Sequence, residues 1–314
     1  PWDLPPQPQW TEGWQLGEPD LVITMPEPYT LPAEGTDVFR NFVIPIPVPE
    51  MKYVRALELR PGNPKIVHHA FMSIDPTHSS RNLDKMDAEV GFDGMEQGSG
   101  ATNPDGHFLG WTPGKVWSRD TEDMAWRLKK GTDLVLNLHM VPSGKREVIQ
   151  SSVGLYFTDK SPTKIPVMLR LGSKTIDIPA GKKDYVIEDS YRLPVDVEVL
   201  GIYPHAHYLG REMQADALLP GKTKLRLLHI KDWDFNWQDD YWYAKPAYLP
   251  KGSVISMRYS YDNSAENVRN PNNPPQRVVD GPLSEDEMGD LWIQVLPRNQ
   301  KDLVTLKRDF NAKE

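Results

Sequence analysis

Thirty prolines and twenty-two glycines among 314 residues argue against long helices. They favour many short strands joined by turns. Apolar residues make up 39% of the chain and aromatics 10%, ample for well-packed cores. The length is about twice that of a typical domain, so two domains are expected, although one large all-β domain also fits.

Strand-like runs fall at 38–46, 53–59, 65–74, 133–141, 148–157, 167–171, 185–187, 195–208, 213–219, 225–230, 254–261 and 291–295. In 133–141, Leu134, Leu136, Leu138 and Met140 share one face, while Val135, Asn137, His139 and Val141 share the other. Both faces are largely apolar, which predicts a strand covered on each side. Residues 75–131 are irregular, with one or two helical turns expected around 79–89. A stretch of that length inside a compact domain is usually functional or locally structured. Residues 1–30, rich in Pro and Trp, read as a linker or strap, 31–160 as a first β-sandwich and 161–314 as a second. The expected fold is all-β: two antiparallel sandwiches.

The net charge of −8 and the absence of a Lys/Arg block speak against a nucleic-acid partner. No run approaches the ~20 apolar residues of a membrane-spanning helix. The chain begins Pro-Trp-Asp-Leu-Pro-Pro, without initiator Met or apolar signal segment, and reads as a processed or excised part of something longer. The sequence does not reveal an oligomeric state. There is no cysteine, so thiol chemistry and disulfides are excluded.

Five of the eight histidines lie in settings suited to ligation: His68-His69, His139, and His205 with His207. Residues two apart on a strand project to one side, so His205 and His207 form half of a metal site. Adjacent His68 and His69 can share an ion only at a strand end, twist or bulge. With eleven methionines and no thiolate, the soft donors suit copper cycling between Cu(I) and Cu(II) better than structural zinc. His78, His107 and His229 read as structural, and Met72 and Met140 as core. The aromatic run Trp233–Tyr243 could be a binding surface or cross-strand packing.

The joint pattern resembles the copper type II, ascorbate-dependent monooxygenases, the family of peptidylglycine α-hydroxylating monooxygenase and dopamine β-hydroxylase. Val67-His68-His69-Ala70-Phe71, Leu134-Val-Leu-Asn-Leu-His139, Pro204-His205-Ala206-His207-Tyr208 and Ser284-Glu-Asp-Glu-Met288 carry that resemblance, in order, across residues 68–288. It implies two jelly-roll-like domains, one copper in each, facing across a solvent-filled cleft. His68, His69 and His139 would hold the electron-supplying copper, and His205, His207 and Met288 the oxygen-activating, catalytic one. The implied reaction is hydroxylation of a C–H bond of a small organic substrate by O₂, with ascorbate or a fused or partner redox domain as reductant. It would take place in the periplasm or outside the cell.

The sequence departs from the peptide-processing members at Tyr203, Asp290 and Trp292, which would sit at the substrate. Asp290, if ionised, would repel an anionic one. His107 and Asn137 are expected beside the three-histidine site. The alternatives are a non-enzymatic copper carrier or sensor on the same scaffold, and a carbohydrate- or protein-binding sandwich with incidental histidines.

Overall fold

A computed structural model describes residues 13–117 and 122–313. Every strand ladder in it is antiparallel, and two short α-helices, Ser79–Met86 and Leu303–Asn311, complete an all-β, multi-sheet, broadly jelly-roll-like fold.

The first half pairs two sheets. One runs Leu21–Thr24, Ser152–Thr158, Lys52–Arg60, Trp126–Leu128; the other runs Phe92–Asp93, Val38–Pro45, Asp133–Met140, Val67–Asp75, Gly110–Trp111. Their inward residues, among them Leu57, Val153, Phe42, Met72 and Leu136, form one buried apolar cluster. The two-faced apolar pattern of the central strand is explained by its surroundings: all eight residues of Asp133–Met140 are buried.

The second half repeats the plan. Val167–Gly172, Gly289–Pro297, Val197–Ala206 and Tyr241–Leu249 form one sheet, and Tyr185–Arg192, Val254–Tyr261, Gly210–Leu218 and Lys224–Ile230 the other. A separate cluster, running from Val167 to Phe310, fills the space within this half.

Three departures from the sequence expectation have plain causes. The stretch read as a linker contributes two strands, Leu21–Thr24 and Tyr29–Leu31, although its first twelve residues lie outside the described ones. Their alternation is too short to register as a period. The C-terminal helix Leu303–Asn311 was not expected; it buries only Leu306 and Phe310, too narrow a stripe to stand out. The strand Tyr241–Leu249 carries Pro246, which removes a ladder donor and suits an edge; it does lie at the edge of its sheet.

Candidate metal centre

The strand Asp133–Met140 lies between Val38–Pro45 and Val67–Asp75, and its His139 stands opposite Phe39 on one neighbour and His69 on the other. Directly opposed residues of an antiparallel pair project on the same face, which brings His69 to His139. His68 joins them through a register shift between Val67 and His69, the bulge that an adjacent pair requires. One ligand atom from each of His68, His69 and His139 falls within 4.8 Å of the others. The ring centroids are 4.7 to 5.2 Å apart. Phe39 stacks on His139 at 4.1 Å and fixes its plane.

Burial holds His68 down to about 4 and His69 well below the ordinary histidine range, and the neighbouring imidazoles add to both effects. These two rings are therefore neutral near pH 7, the form that offers a lone pair to a metal. His139 is 1% exposed, and among the described residues neither of its ring nitrogens has an aligned hydrogen-bond partner. Its Nε2 does lie 3.1 Å from the Asp37 carboxylate, off the hydrogen-bond direction. Burial alone would raise Asp37; the facing His139 ring and the Ser284 contacts outweigh it and hold the carboxylate at about 2.

His205 and His207 project together from the end of the strand Val197–Ala206, with ring centroids 5.3 Å apart. The Nδ1 of His205 meets Gln238 Oε1, and the Nδ1 of His207 meets the Asp286 carbonyl at 3.1 Å. Burial lowers them to about 4 and about 3 respectively. Beneath them Glu287, fully buried, accepts main-chain N–H groups of His207, Leu209 and Met288. Desolvation nevertheless pushes Glu287 up to about 8. The described contacts of Met288 run through its main chain: its N–H donates to Glu287 at 2.9 Å, and its carbonyl accepts the Tyr261 hydroxyl at 3.0 Å.

The two histidine groups are not apart. The His69 and His205 rings are 5.8 Å centroid to centroid. Phe235 stacks on His68 at 4.2 Å and meets the His207 ring edge-on at 5.6 Å. Five imidazoles therefore form one continuous patch where the halves meet. This corrects the expectation of two separate copper sites facing across a solvent-filled cleft. Among the described residues, His68, His69 and His139 are the one group of three or more His, Cys, Asp or Glu side chains whose ligand atoms converge. Two coppers per chain, and an electron-storing site set apart from an oxygen-activating one, are withdrawn.

The remaining candidates are placed as follows. Tyr203 is buried, stacked on Phe108 at 4.8 Å and roughly parallel to His205 at 6.2 Å. Asp290 stands opposite His205 in the ladder, but Arg170 bonds it through Nε at 2.9 Å and Nη2 at 2.7 Å. An ionised Asp290 would therefore have its charge matched by Arg170. Trp292 lies under the same guanidinium, at 5.6 Å. His107 is buried and bonds the Pro104 carbonyl at 3.0 Å, and Asn137 bonds Asn41 and the Gly94 carbonyl. Neither of these bonds reaches a histidine of the patch.

Sequence reasoning missed Asp37, Phe235, Gln238 and Glu287. The aromatic run at 233–243 and the Asp-Glu-Met segment pointed to three of them; for Asp37 the sequence offers no signal. Of the aromatic run, Trp233 and Phe235 are buried, whereas Trp237 is 71% exposed.

Neither a family model nor a curated protein matches this chain. The resemblance to copper type II monooxygenases thus finds no support beyond four short segments. With the two-site geometry absent, membership is withdrawn, and with it the oxidoreductase activity, the ascorbate or redox-domain donor, O₂ and the small-molecule substrate as partners.

Among solved structures, the infectious bursal disease virus Gx strain aligns at 8% identity and a TM-score of 0.25, covering 89% of this chain and 73% of that one. The VP2 subviral particle of the same virus aligns at 9% and 0.23, covering 89% and 72%. An N-terminal tandem domain from Paenibacillus barcinonensis aligns at 7% and 0.18, covering 86% and 82%. Scores this low do not reproduce a common chain path, and no capsid or other role is drawn from them. Among the described residues no helix is long and apolar enough to cross a membrane.

Proposed function

We propose that this chain binds a single first-row transition-metal ion through His68, His69 and His139. The observation that carries the reading is His139: a buried imidazole whose Nδ1 has no hydrogen-bond partner among the described residues and whose Nε2 meets only the Asp37 carboxylate, off the hydrogen-bond direction at 3.1 Å, facing two further imidazoles within 4.8 Å. A buried polar group without a partner costs about 1–3 kcal/mol. An ion bonded to one of its nitrogens would remove most of that penalty. Three imidazoles suit such ions and leave room for a further donor. In this reading the two apolar cores are separate sandwich domains, divided near residue 160, and the ion site sits on the first where it meets the second. A periplasmic or extracellular location remains part of the proposal, to be checked by cell fractionation.

The test is titration of the metal-free protein with Co(II), followed by its visible absorption, and with Zn(II) against a chelating dye. One equivalent should bind. His139→Ala should weaken binding at least 100-fold, and His78→Ala, remote from the patch, should leave it unchanged. Indifference of the affinity to His139→Ala would sink the assignment.

A further inference from the structure

The carboxylate of Asp37 belongs to the first half and touches both halves through one atom. Its Oδ2 lies 3.1 Å from His139 Nε2 and accepts the main-chain N–H of Ser284, from the second half, at 3.0 Å. Asp37 is not among the side chains whose ligand atoms converge, which are His68, His69 and His139. The carboxylate therefore backs His139 from outside that group. On the far side of the contact, Ser284 holds the second place of a tight turn, closed by the Asp286 N–H on the Leu283 carbonyl at 2.9 Å. The turn leads directly to the groups that hold His207. The Asp286 carbonyl meets its Nδ1 at 3.1 Å, and the Glu287 carboxylate accepts the N–H groups of His207 and Leu209. The loop 281–288 is thus gripped at one end by Asp37 and at the other by the chain just beyond the strand Val197–Ala206.

We infer that Asp37 is a positioning residue that couples the three-histidine site to the seating of loop 281–288, so that an ion on His139 and the seated loop each favour the other. The coupling rests on the single-ion reading, whereas the bridge itself does not. A carboxylate offers only lone pairs, and a bare nitrogen lone pair set 3.1 Å from it would be repelled. The facing Nε2 therefore carries the proton. An ion drawing on the other ring nitrogen makes that N–H a stronger donor to Asp37, and the Ser284 N–H holds the accepting oxygen in place.

Two variants cut the bridge from opposite sides. Asp37→Ala removes the carboxylate, and Ser284→Pro removes only the donor, since proline lacks an N–H and suits the second place of a tight turn. In the metal-free wild type at pH 7, long-range ¹H–¹⁵N correlation should find His139 protonated on Nε2; Asp37→Ala should show a mixture of tautomers. Hydrogen exchange, read by mass spectrometry on peptides covering 281–288, should be faster in Asp37→Ala than in the wild type. Saturating Zn(II) should slow that exchange about 5-fold or more in the wild type and leave it unchanged in Asp37→Ala. Zn(II) affinity should fall about 10- to 100-fold in Asp37→Ala. In Ser284→Pro it should fall by about the factor seen in the exchange, because coupling is reciprocal. The double variant should bind no more weakly than Asp37→Ala, since the proline acts on the ion only through that carboxylate. Additive losses overturn the inference, as does a wild type that binds zinc without slowing its loop exchange. So does a wild-type His139 protonated on Nδ1. Far-ultraviolet circular dichroism confirms that each variant is folded. If the wild type takes up no zinc at all, the single-ion reading and the coupling both fail; the tautomer and the metal-free exchange then decide whether Asp37 bridges His139 to the loop.

Discussion

At the scale of the residue, the histidines were the legible part and their partners were not. Alternation put His205 and His207 on one face, and the adjacent pair demanded a bulge; both are geometric rules internal to a strand. Asp37 comes from a loop more than a hundred residues from His139 and bears no local mark. Asp75 shows how much a single hidden carboxylate can do. It accepts the main-chain N–H groups of Thr77 and Ser80 and the hydroxyls of Thr77 and Ser79. Burial would raise it, but these bonds prevail and hold it well below the usual carboxylate range. A depressed folded value means that stability is present above the unfolded pKa of about 3.9 and is lost as pH falls below it. Asp75→Asn should therefore cost about 2 kcal/mol at pH 7. The difference from wild type should narrow as urea midpoints are taken at pH 4.5 and then 3.5. A difference that stays constant over that range would assign the effect to packing.

At the scale of the element, the long strands were readable and the short ones were not. Asp133–Met140 announces itself because one face packs against the facing sheet and the other is covered in part by Phe92, Leu83 and Ala101. Two- and three-residue strands such as Phe92–Asp93 and Trp126–Leu128 contain less than two full periods. No alternation can be read from so few residues. The central strand is also where local damage should spread furthest. Leu136 is fully buried between Phe42 and Met72, its ladder partners. Leu136→Ala should cost about 3 kcal/mol in denaturant unfolding, the usual range for a core leucine. A change below 1 kcal/mol would show that the facing sheet collapses to fill the space.

At the scale of the whole molecule, nothing in the sequence told how closely the two apolar clusters meet. Spacing along a chain carries no information about the distance between two separately packed bodies. The contact is tight at Gly106, whose φ of +79° already disfavours a side chain; a Cβ there would come within 2.3 Å of the Pro166 carbonyl oxygen. Gln294 Nε2 bonds the Gly106 carbonyl at 3.1 Å from the other half. Gly106→Ala should thus lower stability by more than about 1 kcal/mol, because the new methyl meets main chain rather than a yielding side chain. It should also separate the calorimetric transitions of the two halves. A wild-type-like single transition would mean that the halves shift without losing their coupling.

The bulge before His69 has a temporal side as well. The strand that carries it pairs with one whose His139 lies seventy residues further along the chain. At roughly 5–20 residues per second, a ribosome would release the adjacent pair some seconds before its third imidazole exists. During that interval the pair is an incomplete chelate on an unfolded segment, open to whatever ions the compartment holds. Only closure of the long-range ladder, a slow kind of contact to form, confers selectivity. On the single-ion proposal, metal acquisition would in that sense be a late event of folding, and its onset would report that the central sheet has closed.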